Sequence, residues 1–212
     1  MNNTKHLPKE NITAVILAGG RARRMEGQDK GLLKIHSRTL IEYVINAIKP
    51  QVKTILINAN RNQPQYRDYG YTVIEDNIGK FYGPLAGIAS ALEKAKTDYV
   101  VAVPCDCPLL PATLVSRLYS ALQSNNGELS VAHDGQRLQP VFALLRKELL
   151  PSLLAYLEGG ERRVDAWYGQ HNPTIVDFSD TSDSFININS CDDIKEVEYL
   201  LASKENNSPA GN

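Results

Sequence analysis

Cysteine is scarce in this sequence, and its cysteines form no pattern. Cys105, Cys107 and Cys191 are the three, without a Cys-x-x-Cys spacing or a matching histidine pattern. They predict neither a disulfide framework nor a zinc site, and we expect reduced thiols. The four histidines are scattered, and we expect surface or hydrogen-bonded polar residues rather than metal ligands.

Long hydrophobic runs are also lacking. No apolar stretch approaches the roughly 20 residues of a membrane span, and no signal-peptide core follows the polar residues 1–11. We therefore expect a cytoplasmic protein with no membrane partner. A formal net charge of −1 argues against general nucleic-acid binding. The charge is uneven, because residues 1–40 carry eight Lys and Arg against three Asp and Glu, whereas residues 177–212 carry two against eight.

Apolar runs alternate with amphipathic stretches in the first half of the chain. Strands are predicted at 12–17, 54–58, 72–74 and 99–103, and helices at 38–49 and 84–96. This order predicts βαβ units, and continuous β-branched runs suit strands that helices cover on both faces. The first half therefore predicts a doubly wound, parallel sheet.

The second half has a mixed pattern. Helices are predicted at 111–124, 147–158, 161–168 and 191–202, and strands at 129–132, 140–145, 174–176 and 185–188. A turn at Asp134-Gly135 predicts a hairpin, which would add an antiparallel element. Together the halves predict an α/β fold with a predominantly parallel, mixed sheet. We expect one domain over 12–202, between disordered segments 1–11 and 203–212.

A glycine-rich, basic segment follows the first predicted strand, from Leu17 to Gly31. The sequence contains no Gly-x-Gly and no Gly-Lys followed by Ser or Thr, which excludes the dinucleotide fingerprint and the Walker A loop. Glycines let backbone N–H groups approach an anion, and the cations Arg21, Arg23, Arg24 and Lys30 can neutralise phosphate charge. The segment predicts a nucleoside triphosphate site; the alternative is a glycine-rich turn with solvated arginines.

Polar side chains follow three further predicted strands, at Asn58, Asp76 and Asp106. The carboxyl ends of parallel strands meet at one edge, so we expect these residues to lie near the glycine-rich segment. Asp106 is predicted to bind Mg²⁺, which needs few carboxylates beside water and phosphate oxygens; a helix cap is the alternative. Asn58 and Asp76 could hydrogen-bond a base or ribose, or Asn58 could be a simple turn residue.

With these motifs assembled, the sequence resembles the molybdenum cofactor guanylyltransferases, bacterial enzymes that attach GMP to molybdopterin within the nucleotidyltransferase fold. The resemblance spans roughly residues 12–202. It rests on eight ordered motifs: Leu17-Ala-Gly-Gly-x-Ala-Arg-Arg-Met25, Asp29-Lys-Gly-Leu-Leu33, Asn58-Ala-Asn60, Val73-Ile-Glu-Asp76, Gly83-Pro-Leu-Ala-Gly87, Pro104-Cys-Asp106, Gly160-Glu-Arg-Arg163 and Phe185-Ile-Asn-Ile-Asn189. The family fold implies a three-layer, Rossmann-like α/β/α domain.

The resemblance also implies site residues. GTP would be bound in the half 12–111 by Leu17, Ala18, Gly19, Gly20, Lys30, Asn58, Asp76 and Asp106, with Asp106 also holding Mg²⁺ and Arg24 supporting the phosphates. The catalytic set is Lys30, Asp106 and Arg24. The half 112–202 would bind the pterin through Asn187 and Asn189, and through Arg162 and Arg163. The alternatives are strand-end hydrogen bonding for the asparagines and a solvated helix face for the arginines.

The implied reaction transfers GMP from GTP to Mo-molybdopterin, with pyrophosphate released. The alternatives are a molybdopterin cytidylyltransferase, a sugar-phosphate nucleotidyltransferase, and a GTP-binding regulatory or carrier protein without turnover. We expect a monomer that contacts molybdoenzymes or their chaperones transiently. The sequence departs from the usual family pattern at Glu26, at Gln139-Pro140 and at Asn189-Ser-Cys-Asp192.

Overall fold

A computed structural model describes residues 9–19, 29–77 and 83–206. In the first half, the elements are β1 (Ile12–Leu17), β2 (Lys34–Ile35), β3 (Arg38–Thr39), α1 (Leu40–Ile48), β4 (Thr54–Asn58), α2 (Gln63–Arg67), β5 (Thr72–Ile74), α3 (Pro84–Lys94) and β6 (Tyr99–Pro104). In the second half, they are α4 (Leu114–Ser124), β7 (Leu129–His133), β8 (Leu138–Arg146), α5 (Leu150–Glu158), α6 (Val164–Gly169), β9 (Thr174–Asp177) and α7 (Cys191–Asn206). Among these helices, none is long and apolar enough to cross a membrane.

The main sheet has the strand order β5-β4-β1-β6-β8-β7-β9. Its first four strands are parallel, β8 runs antiparallel to both neighbours, and β7 pairs with β9 in parallel. The predicted mixed, mainly parallel sheet and the hairpin at Asp134-Gly135 are therefore confirmed. Leu17 pairs with Asn58 on one side and with Pro104 on the other, so three strands end level.

Helices cover both faces of the sheet. Along β1, Ala14 and Ile16 point into one buried cluster, which includes apolar residues of α1 and α4. Val15 points to the opposite face, where it joins a cluster with residues of α3, α5 and α6. Burial on both faces explains why β1 is apolar throughout rather than alternating. The predicted three-layer α/β/α arrangement is confirmed.

The predicted strand at 185–188 is wrong. Phe185 ends the 3₁₀ segment Ser179–Phe185, and the chain then runs extended beside the end of β6, where Ile188 N–H donates to the Asp106 carbonyl oxygen at 3.0 Å. Phe185 and Ile188 are buried in separate clusters. The apolar pattern therefore reflects burial of single residues and not a sheet position, which sequence periodicity does not distinguish.

Several predicted boundaries also shift. Helix α1 begins two residues late, at Leu40, because Thr39 and Glu42 form a capping box. The segment predicted as disordered at 203–212 starts inside α7, which continues to Asn206. Within 1–11, Lys9–Asn11 form a 3₁₀ turn, which two hydrogen bonds between Asn11 and Asp98 fasten to the sheet. The remainder of both segments lies outside the described residues.

A hydrogen-bond chain joins the helices of one layer to β7. Ser152 Oγ lies 2.8 Å from His171 Nε2, and His171 Nδ1 lies 3.1 Å from an oxygen of Glu128, the residue before β7. The buried Trp167 donates its indole N–H to the same serine oxygen at 3.2 Å. A buried indole N–H needs such an acceptor. We therefore interpret this series of hydrogen bonds as structural, in keeping with the expectation that the histidines are surface or hydrogen-bonded polar residues.

The first turn of α3 packs very closely against β1 and β4. A Cβ atom added at Gly87 would lie 2.4 Å from Asn58 Oδ1 and 2.7 Å from Leu17 Cδ2. In an open helix interior, Gly→Ala stabilises by about 1 kcal/mol. Here we expect Gly87→Ala to destabilise by about 1–3 kcal/mol, as for an overpacked core.

Thermal unfolding would measure this effect as a lower Tm. The matched control is Gly169→Ala at the end of α6, where an added Cβ meets nothing within 4 Å. We expect the control to keep or slightly raise the Tm. An equal response of the two variants would contradict the packing argument.

Candidate functional site

The carboxyl ends of β1, β4 and β6 form one edge of the sheet. Ala18 N–H donates to the carbonyl oxygen of Asn58 at 2.8 Å, and Cys105 N–H donates to that of Leu17 at 3.1 Å. These bonds continue the sheet pairing beyond Leu17, so the start of the glycine-rich segment lies between the chains that carry Asn58 and Asp106. Gly20, Glu26 and the arginines Arg21, Arg23 and Arg24 lie outside the described residues.

Asn58 and Asp76 are in direct contact at this edge. Asn58 Nδ2 donates to one oxygen of the Asp76 carboxylate at 2.9 Å, and Asn60 Nδ2 donates to the other at 2.7 Å. Asn60 also accepts from the Asp76 backbone N–H at 2.9 Å. The carboxylate is thus fixed by two amides. Asn60 was not predicted as a site residue, although its spacing from Asn58 places both after the same strand.

Gly19 and Gly87 bring their backbone close to the asparagines that hold Asp76. Asn58 is only 3% exposed. An added Cβ at Gly19 would lie 3.1 Å from Asn60 Nδ2 and 3.4 Å from Asn58 Oδ1. Gly19 therefore packs closely against both asparagines, and Gly87 on α3 packs against Asn58.

Lys30 connects the two predicted halves of the site. It begins a 3₁₀ turn whose N-cap is Asp29. Its ammonium lies 3.0 Å from Asp106 Oδ2 and 2.6 Å from Asn189 Oδ1. The lysine and aspartate side chains are 27% and 17% exposed, so this ion pair is partly shielded from water. The structure thus brings a predicted nucleotide ligand and a predicted pterin ligand onto one cation.

Asn187 and Asn189 follow the 3₁₀ segment Ser179–Phe185 and lie beside the loop that leaves β6. Asn189 Nδ2 donates to the Asn187 carbonyl oxygen at 3.1 Å, and the thiol of Cys107 donates to Asn187 Oδ1. Burial raises the pKa of the Cys107 thiol well above its usual range, and the negative charge of Asp106 adds to this effect. The thiol therefore remains protonated and acts as a donor.

A groove with a volume of about 400 Å³ adjoins these asparagines. One wall is the β7–β8 hairpin, where the side chain of Gln139 donates to Asp134 at 2.6 Å. The departure at Gln139 thus serves the fold of the hairpin. The groove is lined by Asp134, Gln136, Arg137, Ser182, Asp183, Phe185, Ile186, Asn187, Asn189 and Glu196.

Arg162 and Arg163 are placed differently from the other predicted residues. Arg162 donates to the carbonyl oxygen of Leu157 at 2.8 Å, and Arg163 pairs with Asp165 at 2.6 Å. The side chain of Arg163 is 74% exposed. These contacts join the end of α5 to the start of α6, and neither of them involves Lys30, Asp106 or Asn189. A pterin-phosphate role for the pair stays a prediction.

Helix α7 begins with a capping box beside the lysine. The Asp193 carboxylate accepts from the backbone N–H groups of Asn189 and Ser190 at 2.7 and 2.8 Å, while Ser190 Oγ accepts from Asp193 N–H at 3.2 Å. The departure from the usual family pattern after Asn189 therefore preserves a helix start. The bond from Asn189 is the main cause that lowers the pKa of Asp193.

Asp193→Ala should lower the Tm at neutral pH, because a lost cap costs about 1 kcal/mol. Since the folded-state pKa of Asp193 lies below its unfolded value of about 3.9, its stabilising effect is present above that value and is lost as pH falls through the folded pKa. The Tm difference from wild type should be constant between about pH 6 and 8 and shrink below about pH 4.

Asp192→Ala is the matched control, because the carboxylate of this neighbour is exposed and pairs with Lys195 at the surface. We expect it to change the Tm little. A pH-independent difference for Asp193→Ala would show that the carboxylate is not the stabilising group.

Known proteins resemble this chain along most of its length. Residues 14–174 match the family model of the MobA-like NTP transferase domain. A molybdenum cofactor guanylyltransferase of Shewanella sediminis is 49% identical over 191 residues, which are 90% of this chain and 97% of the relative. A second molybdenum cofactor guanylyltransferase, from Shewanella sp. strain MR-4, is 50% identical over 197 residues, which are 93% of this chain and 98% of the relative.

Solved structures share the fold at lower identity. Molybdopterin-guanine dinucleotide biosynthesis protein A of Archaeoglobus fulgidus superposes with a TM-score of 0.75 at 22% identity, covering 90% of this chain and 99% of the other. A nucleotidyl transferase of Methanothermobacter gives 0.72 at 18% identity, covering 92% and 99%. The predicted nucleotidyltransferase fold is confirmed. By the family match and the near full-length identity, the chain belongs to the molybdenum cofactor guanylyltransferase family of MobA-like nucleotidyltransferases.

Proposed function

We propose that this protein transfers GMP from GTP to the terminal phosphate of Mo-molybdopterin, which yields molybdopterin guanine dinucleotide and pyrophosphate. Its relatives with near full-length similarity are named for guanylyl transfer. The observation that carries the proposal is the position of Lys30, whose ammonium contacts both Asp106 and Asn189. One cation at the junction of the two predicted half-sites is suited to meeting two phosphate groups at once.

GTP would lie along the carboxyl edge of β1 and β4. Leu17, Ala18 and Gly19 leave the sheet there, and Gly19 permits close approach of backbone N–H groups to an anion. Asp76 is already fixed by the amides of Asn58 and Asn60, so its carboxylate could accept hydrogen bonds from base or ribose without reorganising. In this assignment Asn58 acts mainly by holding Asp76.

Mg²⁺ is the cofactor in this proposal, and Asp106 is its protein ligand. The described residues contain no group of three or more His, Cys, Asp or Glu that could enclose a metal. A single partly exposed carboxylate beside a phosphate site nevertheless suits Mg²⁺, which keeps several waters and takes substrate oxygens as ligands. When bound, the ion would neutralise charge on the triphosphate.

The chemistry needs no protein nucleophile. An oxygen of the acceptor phosphate forms a bond to the α-phosphorus of GTP, and the bond from that phosphorus to the bridging oxygen breaks, so pyrophosphate leaves with the electron pair. The acceptor monoester is already anionic near neutral pH. The task of the protein is to align two anions and reduce their repulsion. Lys30 would do this by exchanging its contacts with Asp106 and Asn189 for phosphate oxygens.

Pyrophosphate release tests the reaction directly. The protein is incubated with Mg²⁺, Mo-molybdopterin and GTP, CTP, ATP or UTP in turn. We expect release with GTP alone, dependent on the pterin and abolished by chelation of Mg²⁺. Release with CTP would indicate a cytidylyltransferase, and release with a sugar phosphate in place of the pterin would indicate that class. Binding of GTP without release under any condition would favour a regulatory or carrier protein.

Lys30→Ala should reduce kcat by about 10²–10³, as for loss of a preorganised charge in other enzymes. Lys34→Ala is the control, because this nearby lysine is exposed on β2. Initial rates of pyrophosphate release would measure both variants. Near-normal turnover of Lys30→Ala would refute the catalytic role of Lys30.

GTP is a cytoplasmic nucleotide, so we place the reaction in the cytoplasm. The product must reach molybdoenzymes, and we propose transient contact with them or with their chaperones by a monomeric protein.

A further inference from the structure

The residue before Lys30 is held by three donors. Asp29 accepts from the Tyr66 hydroxyl and from Gly31 N–H on the same oxygen, the latter at 3.3 Å. Its other oxygen accepts from Asn62 Nδ2 at 3.1 Å. Both side-chain donors belong to the short helix α2 and its N-cap. The carboxylate of Asp29 is therefore the point where α2 is attached to the turn that carries the lysine.

Tyr66 is the buried member of this group. It is fully buried in the main apolar cluster. Burial, followed by the nearby Cys105 and Asp29, raises the pKa of Tyr66 far above its usual value. The phenol is therefore a permanent donor, and a buried donor without an acceptor would cost about 1–3 kcal/mol. Asp29 is the acceptor that satisfies it.

The turn also rests directly on the phenol. A Cβ atom added at Gly31 would lie 2.5 Å from the Tyr66 hydroxyl oxygen and 3.3 Å from Cys105 Sγ. Only a glycine lets the backbone after Lys30 approach this closely. The turn is closed by bonds from Leu32 N–H to the Asp29 carbonyl oxygen and from Leu33 N–H to that of Lys30, at 3.0 and 3.1 Å. Because these bonds tie the backbone of Asp29 to the turn, a rotation of the Asp29 backbone would displace the backbone of Lys30.

We propose that Tyr66 is a positioning residue for guanylyl transfer. Through Asp29, it holds the backbone turn of Lys30 where the lysine ammonium can reach Asp106. This inference rests on the proposed function of Lys30. The long lysine side chain has several rotatable bonds, so the location of its ammonium depends on a fixed backbone. The chain of contacts is continuous from the Tyr66 hydroxyl through Asp29 and the turn to the ammonium 3.0 Å from Asp106.

The test removes only the hydroxyl. Tyr66→Phe keeps the buried ring but leaves Asp29 without its phenol donor. Tyr69→Phe is the matched control: Tyr69 is a neighbour with a ring centroid 6.5 Å away, and its hydroxyl pairs with Thr39 Oγ1 instead. With saturating Mg²⁺ and Mo-molybdopterin, we expect Tyr66→Phe to lower kcat about tenfold, since small misplacements of reacting groups cost up to about 10²-fold. The KM for GTP should change less than about threefold if the turn mainly serves the transition state.

The control should keep both constants. A wild-type kcat for Tyr66→Phe, or an equal loss of kcat in Tyr69→Phe, would overturn the inference.

A double-mutant cycle separates positioning from a purely structural role. If Tyr66 acts through Lys30, Tyr66→Phe should have no further effect on kcat in a Lys30→Ala background. A general structural loss would lower kcat by the same factor in both backgrounds and would contradict the proposal. Full activity of Lys30→Ala would refute both the proposed function of Lys30 and this inference. Loss of activity in Lys30→Ala with normal turnover of Tyr66→Phe would refute the inference alone.

Discussion

The contact of the Lys30 ammonium with Asp106 and Asn189 joins parts of the chain that are remote in sequence. Asp106 follows the central strand β6, and Asn189 leads into the last helix, 159 residues after the lysine. The ion pair is partly shielded, so the attraction between its charges is stronger than at a fully exposed surface. The cation also contacts the end of the extended segment 186–189, which makes no strand pairing among the described residues.

Close packing at the sheet edge supports this contact. Gly31 lets the lysine turn rest on Tyr66 and Cys105, and Gly87 lets the first turn of α3 rest on Asn58 and Leu17. These approaches occur where the parallel strands end level, as the pairing of Leu17 with both Asn58 and Pro104 shows. The sheet register thus sets the positions of the loops, and the absent side chains of the glycines let the loops come together.

The polar groups at this edge differ in how ready they are for a ligand. The Asp76 carboxylate is fixed by two asparagine amides and can accept further hydrogen bonds without moving. Lys30, by contrast, already has two partners, Asp106 and Asn189, and in the proposed reaction it would have to exchange them for phosphate oxygens. A nucleotide would therefore meet a rigid part of the site at Asp76 and an adaptable part at Lys30. The fixed turn behind the lysine would limit that adaptation to the side chain.

The sequence by itself determined the layered fold, the parallel strands and the hairpin, because these follow from local apolar periodicity and turn chemistry. It also indicated that Asn58, Asp76 and Asp106 share an edge, since strand ends in a parallel sheet must meet. Only the tertiary structure decided that 185–188 is not a strand, that Asn60 fixes Asp76, and that Tyr66 supports the lysine turn. It likewise separated Arg163, which pairs with Asp165, from the lysine cluster. These outcomes depend on contacts between residues far apart in the chain, and no local pattern records which distant side chain supplies a donor or fills a space.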